Sequence, residues 1–261
     1  MIQIKSKEEI QIMSEGGKIL AEILKKLSGA VKPGITTNKL EELARELVLS
    51  YGVKPSFLGY DGFPSALCTS VNDEIVHGVP SDRILQDGDL LKLDMGVLHK
   101  GFHTDSAITV LIGSVEGGPP QAMKLVNITK EALRIGVSKA KVGNTLGDIG
   151  SAIQKYVEQN GFNVVRDLVG HGIGRKLHEP PQVMNYLPRG RKAASQSGHY
   201  EGEELKEGMV IAIEPMVVTG DWKTKNSEDG FGFVTKDGGL AAHFEHTVAI
   251  TNSGPLVLTQ E

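Results

Sequence analysis

Two segments of the chain each place an acidic residue inside an otherwise apolar run. Residues 85–97 read LQDGDLLKLDMGV and residues 205–217 read LKEGMVIAIEPMV, so Asp94 and Glu214 occupy equivalent places 120 positions apart. A carboxylate that is buried without a partner is costly, because water no longer solvates its charge. Two copies of the same costly choice indicate a shared partner, and a metal ion is the obvious candidate.

A second pair of acidic residues follows the same rule. Residues 102–112 and residues 242–251 both alternate between apolar and polar side chains, which is typical of half-buried strands. When the two segments are aligned 140 positions apart, Asp105 corresponds to Glu245. Each half of the chain is therefore expected to point two carboxylates towards one place.

Four converging carboxylates would repel one another strongly, and two divalent cations would neutralise them. Oxygen ligands suit Mn, Fe(II), Co, Zn or Mg, and a nitrogen ligand shifts the choice towards the transition metals. His171 offers that nitrogen in the glycine-rich segment 170–174, which follows a strand-like segment at 164–169. One Asp in a strand or one His in such a loop is more often structural. The duplicated positions favour metal ligands for the set.

The helices that must position these residues are duplicated as well. Residues 32–53 correspond to residues 141–162 at a displacement of 109, and Gly34, Thr36 and Gly52 meet identical residue types. Each copy begins with Gly and Thr, a helix N-cap pattern, and ends at Gly, a C-cap pattern. Apolar residues recur between these caps at spacings of three and four, which predicts two amphipathic helices.

These repeats predict an α+β fold of two pseudo-symmetric halves, each with two helices packed on antiparallel strands. The halves span about 1–113 and 114–261, and we expect a single catalytic domain over 1–261 without a separate N-terminal domain. The displacement between equivalent residues grows from 109 to 120 and then to 140 along the chain, so the second half contains two insertions. We place them at the polar segment 189–203 and at 221–229 around Trp222. The first could be a flap or a contact surface, although an inert surface loop is favoured.

Composition restricts the class of protein. The 261 residues are 39% hydrophobic with a net charge of -4, which does not favour a nucleic-acid or membrane surface. The single cysteine, Cys68, excludes an internal disulfide and fits a reducing compartment. The charged first residues do not form a signal peptide. We expect a cytoplasmic protein that is a monomer and binds neither nucleic acid nor membrane.

Seven short segments are distinctive when taken together. They are VHGVP at 76–80, DMG at 94–96, GFHTD at 101–105, GHGIG at 170–174, HEPP at 178–181, IEPM at 213–216 and FEHT at 244–247. In this order they resemble the type I methionine aminopeptidases, which have the pita-bread fold. The resemblance covers nearly the whole chain, and any one of its segments alone would be weak.

This resemblance implies removal of the N-terminal initiator methionine from peptides and nascent proteins, near the ribosome exit by family analogy. It implies a dinuclear centre with a bridging water or hydroxide, in which the two divalent ions are Co, Mn, Fe(II), Zn or Ni. The implied ligands are Asp94, Asp105, His171, Glu214 and Glu245, with Glu214 also the general acid and base.

Two histidines have implied catalytic roles. His178 resembles the family histidine that contacts the scissile carbonyl, and His77 resembles the one that contacts the amide nitrogen. His103 and His243 share a face with the predicted ligands, and we expect them to contact the ligands from outside. For both implied catalytic residues the alternative is a structural histidine.

A methionine pocket is implied by the segment 57–68. Tyr60, Phe63 and Cys68 match pocket positions of the family, and Phe231 stands where the family has an aromatic wall that is often Trp. The alternative for all four is ordinary core packing. Leu177 replaces an aromatic residue, so we expect a wider or less stacked rim.

Three other classes of protein are weighed against this interpretation. Prolidase and aminopeptidase P relatives usually carry a large N-terminal domain, whereas only 93 residues precede Asp94. Type II methionine aminopeptidases carry a helical insertion between the positions of His171 and Glu214, where this chain has only 42 residues. A fold relative that only binds would be expected to lose ligands, and this chain keeps all five.

Overall fold

The computed structural model describes residues 1–113, 120–188 and 202–260. Its helices are α1 Lys7–Ala30, α2 Thr37–Ser50, α3 Pro120–Lys139 and α4 Leu146–Gln159, and a 3-10 turn spans Tyr60–Gly62. Its strands are β1 Lys54–Pro55, β2 Cys68–Val71, β3 Glu74–Val76, β4 Leu90–His99, β5 Phe102–Leu111, β6 Asn163–Val164, β7 Gly170–Gly172, β8 Glu179–Val183, β9 Val210–Ile213, β10 Met216–Val218, β11 Thr224–Asn226, β12 Phe233–Thr235, β13 Ala241–His243, β14 Glu245–Thr251 and β15 Gly254–Val257. Within the described ranges, no helix is long and apolar enough to cross a bilayer.

The second helix of each half begins and ends in the same way. The side chains of Thr36 and Thr145 each accept a hydrogen bond from the backbone amide three residues later, at 3.3 Å in both cases. Gly52 and Gly161 follow the C-caps with φ of 66° and 84°, a left-handed conformation that favours glycine. The predicted caps of both helices are therefore confirmed.

These equivalent caps give a matched test of the two halves. Thr36→Ala and Thr145→Ala are each expected to lower the free energy of unfolding by about 1 kcal/mol, because an amide of the first turn loses its acceptor. Urea denaturation would measure both. Thr→Ser at each position keeps the oxygen and serves as the control. The double variant should be additive, and a strongly non-additive result would contradict independent caps.

A nine-stranded antiparallel sheet joins the two halves. The strand order is β1-β4-β5-β14-β9-β7-β8, with β2 also paired to β4 and β15 to β14. At the centre, β5 and β14 pair with Glu245 opposite Ala107. A twofold axis that exchanges residues 140 positions apart converts this pair into Thr247 opposite Asp105. The amide of Asp105 donates to Thr247 Oγ1 at 2.9 Å, so the equivalent pair is also in contact.

The helices cover one face of this sheet and leave the acids on the other. In β4, Leu91, Leu93, Met95 and Val97 pack with α1 and α2, and in β14, Val248 and Ile250 pack with α3 and α4. Since alternate strand residues point to opposite faces, Asp94 and Glu245 face away from the helices. The predicted α+β architecture with two helices on strands in each half is confirmed.

Two predicted strands differ from the structure. The strand-like segment 164–169 forms a strand only at Asn163–Val164, and β7 begins at Gly170. The predicted strand 242–251 breaks at Phe244, which packs into the helical core of the second half. His243 consequently belongs to a separate three-stranded sheet, β13-β10-β6.

The two predicted insertions have different outcomes. The polar segment 189–203 lies outside the described residues except for Gly202 and Glu203. The insertion at 221–229 contributes β11, which pairs with β12, and β12 pairs in turn with β3. The Trp222 ring lies 5.0 Å from the guanidinium carbon of Arg166.

Candidate metal centre

The predicted ligands come from five neighbouring strands of the large sheet. Asp94 lies in β4, Asp105 in β5, Glu245 at the start of β14, Glu214 directly after β9 and His171 in β7. The sheet order places these strands side by side as β4-β5-β14-β9-β7. One acid or imidazole from each strand therefore projects from the face of the sheet that the helices leave free.

The geometry of the cluster suits a cation. Ligand atoms of Asp105, His171 and Glu245 all lie within 4.8 Å of one another. His171 Nε2 lies 3.7 Å from Glu214 Oε1. One carboxylate oxygen each of Asp94, Asp105 and Glu245 is buried without a hydrogen-bond partner among the described residues. Such buried oxygens are costly unless something else coordinates them.

The raised pKa values of the four acids also indicate a site for a cation. Burial, and after it the neighbouring Asp105, raises the pKa of Asp94 well above its usual range. Burial raises the pKa of Asp105 to about 7. Burial, then Asp105 and other acids of the cluster, likewise raises the pKa values of Glu214 and Glu245. Nearby positive charge would reverse these shifts and allow all four groups to ionise together.

His171 is arranged as a neutral nitrogen donor. Burial, with a smaller effect of His178, lowers the pKa of His171 to about 3. Its Nδ1 lies 2.9 Å from the carbonyl oxygen of Gly172. An Nδ1–H that donates to this carbonyl leaves the lone pair on Nε2, the nitrogen on the side of Glu214.

The two histidines expected to contact the ligands behave differently. His243 is fully buried, and its Nε2 lies 3.7 Å from Glu214 Oε2. Neither of its ring nitrogens has a hydrogen-bond partner among the described residues. His103 instead has its Nδ1 2.9 Å from Ser56 Oγ. Only His243 is thus seen to approach a predicted ligand.

A cavity of about 200 Å³ opens onto the cluster. It is lined by all eleven residues that the sequence assigns to metal binding, catalysis or the methionine pocket, together with three more. The eleven are Tyr60, Phe63, Cys68, His77, Asp94, Asp105, His171, His178, Glu214, Phe231 and Glu245, and the others are Phe57, Asp61 and Leu177.

The three further residues complete the wall of the cavity. Phe57 and Asp61 belong to the segment 57–68, but no pattern in the sequence separates them from their neighbours. Asp61 has φ of 45° within the 3-10 turn, a conformation that the sequence did not predict. Leu177 is 2% exposed and belongs to the same apolar cluster as Phe57, so it forms part of the cavity wall, and the wider rim stays a prediction.

One end of the cavity is apolar. The rings of Phe63 and Phe231 meet edge to face with centroids 5.6 Å apart, and Cys68 pairs across the strands with Asp94. Burial, then Asp94 and Asp105, raises the pKa of the Cys68 thiol well above its usual range. Tyr60 is 38% exposed and lies at the entrance.

The two predicted catalytic histidines lie beside the cluster. The rings of His178 and His171 are 4.3 Å apart, and His178 Nδ1 lies 2.8 Å from the Tyr60 hydroxyl. His77 has φ of 60°, an uncommon conformation that is typical of functional positions when packing enforces it. The centroid of its ring lies 5.9 Å from that of Phe233. Burial lowers the pKa of His77 to about 4.

A second cavity of about 410 Å³ shares His77, His171, His178 and Glu214 with the first. Its remaining wall includes apolar side chains and two polar ones. The predicted catalytic groups therefore lie where two cavities meet. This arrangement can hold the two sides of one extended substrate around a central reacting bond.

Known proteins resemble this chain over nearly its whole length. Residues 11–252 match the sequence profile of metallopeptidase family M24. A methionine aminopeptidase of Clostridium perfringens is 48% identical over 259 residues, which cover 99% of each chain. The crystal structure of methionine aminopeptidase from Thermotoga maritima superposes with a TM-score of 0.92 at 42% identity and covers 100% of both chains.

A more distant likeness concerns the fold alone. The prolidase from Pyrococcus horikoshii is 23% identical with a TM-score of 0.74. The match covers 99% of this chain but 64% of the prolidase. The same architecture therefore occurs within longer proteins.

Proposed function

The chain belongs to metallopeptidase family M24, and from this membership we propose that it is a methionyl aminopeptidase. It hydrolyses the first peptide bond of proteins and peptides that begin with methionine. The observation that carries the proposal is the junction of an apolar cavity with a cluster of buried carboxylates and an imidazole. The cavity would hold the methionine side chain, and the cluster would act on the adjacent peptide bond.

The predicted ligands fit divalent metal ions. Buried carboxylate oxygens without partners among the described residues, beside a neutral imidazole nitrogen, form the mixed oxygen and nitrogen donor set that transition ions accept. We assign the role to Asp94, Asp105, His171, Glu214 and Glu245. Two ions match the charge of four carboxylates, and Co, Mn, Fe(II), Zn or Ni would suit the set. Bound ions would supply Lewis acidity, activate a water at neutral pH and hold the substrate's α-amine.

Glu214 is proposed to move the proton. Its side chain is 13% exposed, and its carboxylate lies between His171 and His243, at 3.7 Å from a ring nitrogen of each. Both imidazoles are kept neutral by burial, which leaves Glu214 as the proton carrier at this point. It would take a proton from the attacking water and return it to the leaving amine.

His178 and His77 are proposed to hold the peptide bond. We assign the Tyr60 hydroxyl as the donor to His178 Nδ1, 2.8 Å away, and this assignment places the ring proton on Nε2. This Nε2–H would donate to the carbonyl oxygen as negative charge develops on it, a contribution that is often among the largest in acyl transfer. His77 would contact the amide nitrogen of the same bond.

Selectivity for methionine is proposed to come from the apolar end of the cavity. Phe63, Cys68 and Phe231 offer aromatic and sulfur surface, and a thioether makes favourable contacts with aromatic ring edges. The cavity of about 200 Å³ suits a single side chain of this size. Residues downstream of the methionine would occupy the second cavity.

Peptide cleavage tests this function. Metal-loaded protein is expected to release methionine from Met-Ala-Ser and to leave Ala-Pro-Ala intact, because the cavity accommodates a long apolar side chain. Liquid chromatography with mass spectrometry would measure both, and N-acetyl-Met-Ala-Ser is the control that lacks a free amine. A preference for the Xaa-Pro peptide would contradict methionine specificity. No cleavage by protein confirmed to hold metal would favour a binding protein.

Other properties follow from the same proposal. The predicted ligands Asp94 and Asp105 come from the first half and the remaining three from the second, so the site needs both halves in one catalytic domain. We propose that the chain acts as a monomer, in the cytoplasm, on nascent chains that leave the ribosome. Size-exclusion chromatography with light scattering tests the monomer directly.

A further inference from the structure

A buried ion pair lies next to the turn that presents His178. Lys5 Nζ is 2.6 Å from Glu179 Oε2, and the two side chains are only 4% and 6% exposed. Burial of two charges costs several kcal/mol per ion, and such a pair is often no more stable than apolar residues of similar volume. General stability is therefore a weak reason for this pair, and its location indicates another.

Glu179 holds the turn that precedes it. Its Oε1 accepts a hydrogen bond from the amide of Lys176 at 3.0 Å, while the amide of Gly174 donates to the carbonyl of Lys176 at 3.1 Å. Burial alone would raise the pKa of Glu179. The hydrogen bonds from Lys5 and from the Lys176 amide together outweigh burial, so the pKa lies below its usual value. The carboxylate therefore stays ionised and links the turn to Lys5.

Lys5 connects this turn to the strand that leads to Glu214. The amide of Lys5 donates to the carbonyl of Gly208 at 2.8 Å, two residues before β9 begins. Its ammonium also donates to the carbonyl of Gln3 at 3.2 Å. The short segment before α1 is thus fixed at both its backbone and its side chain.

The glycine-rich motif is shaped to this lysine. A Cβ on Gly174, the last glycine of GHGIG, would lie 2.5 Å from Lys5 Cε and 3.0 Å from Glu179 Oε1. A larger residue would force the end of the Lys5 side chain or the Glu179 carboxylate to shift. Gly174 and Lys5 are therefore matched, although 169 positions separate them in the chain.

We propose that Lys5 is a positioning residue for His178, because its ammonium fixes Glu179 and thereby the backbone that aims the imidazole at the substrate carbonyl. The proposal rests on the aminopeptidase function above. The side chain of His178 has one hydrogen bond in the described structure, to Tyr60, which is itself at the exposed entrance. The ring also meets the His171 ring edge to face, so its orientation depends on that contact and on the backbone of the turn.

The primary test is Lys5→Met in the full-length, metal-loaded enzyme. We expect kcat for Met-Ala-Ser to fall about tenfold to a hundredfold, the effect of a small misplacement of a group that acts in the transition state. KM should change less than about threefold and metal content should not change, since Lys5 itself lines neither of the two cavities described above and is not a predicted ligand. Lys7→Met, an exposed lysine two residues away, is the matched control.

A double-mutant cycle separates positioning from general stability. In a His178→Ala background, Lys5→Met should change kcat less than about twofold, because no imidazole remains to be positioned. Assays run well below the unfolding temperature of every variant. Wild-type kcat in Lys5→Met, or an equal loss in both backgrounds, would overturn the proposal.

Glu179→Gln provides a second approach if Lys5→Met does not fold. The amide keeps the shape and a hydrogen-bond acceptor for Lys176 but weakens the ion pair, so the same loss of kcat and the same dependence on His178 are expected. A wild-type kcat in this variant would overturn the proposal. Failure of the wild-type enzyme to cleave Met-Ala-Ser would instead reject the aminopeptidase function.

Discussion

Asp105→Asn is expected to lower kcat for Met-Ala-Ser by about a thousandfold or more while the fold is retained. Metal activation contributes several kcal/mol to such a reaction, and each 1.36 kcal/mol is a factor of ten in rate. Asp105 is the central acid of the cluster, because its charge contributes to the raised pKa of each of Asp94, Glu214 and Glu245. Its backbone is held independently by Thr247, so the strand should remain in place.

Glu214→Gln should cause a loss of similar size for a partly different reason, since it removes both a predicted ligand and the proposed proton carrier. Steady-state kinetics at saturating metal, metal analysis and far-UV circular dichroism would separate lost chemistry from lost structure. Asp221→Asn changes an exposed carboxylate that pairs with Lys223, and it should keep the wild-type kcat. Unchanged activity in either site variant would refute the proposed centre.

The cluster was predictable from the sequence because strand geometry is simple. Alternation within a strand decides which face a residue occupies. The displacement of 140 positions between Asp105 and Glu245 identifies equivalent residues of the two halves, although the register in which β5 and β14 pair is seen only in the structure. The caps at Thr36 and Thr145 were also predictable, because a helix cap depends only on residues within one turn of it.

The features that were not predictable depend on distant contacts. The strand expected at 242–251 breaks where Phe244 enters the helical core, and no local pattern marks that change of direction. Phe57 and Asp61 join the cavity through the fold of a loop. The match between Lys5 and Gly174 appears only when the N-terminal segment packs against the glycine-rich motif. The roles of the eleven cavity residues remain predictions that the experiments above test.

The metal-free protein is expected to lose stability as pH rises towards neutrality, to an extent that depends on Asp105. Its folded-state pKa of about 7 lies above its ordinary value of 3.8, so its contribution is fully present below pH 3.8 and is lost as pH rises through 7. That difference in pKa corresponds to a contribution of at most about 4 kcal/mol to the free energy of unfolding. The buried histidines, whose pKa values are lowered, act in the opposite direction as pH falls below 6.5. A variant of Asp105 is therefore needed to isolate its effect.

Without metal, Asp105→Asn should be as stable as the wild type near pH 4 and more stable at pH 7.5, because the neutral amide avoids the cost of a buried charge. With metal the order should reverse at pH 7.5, since ligands that bind only the folded state stabilise it, by about 2.7 kcal/mol at a hundred times Kd. Thermal unfolding with and without chelator would measure the four combinations. Asp221→Asn should follow the wild type in all of them. If the two proteins kept the same order with and without metal, Asp105 could not be a ligand whose charge the metal neutralises.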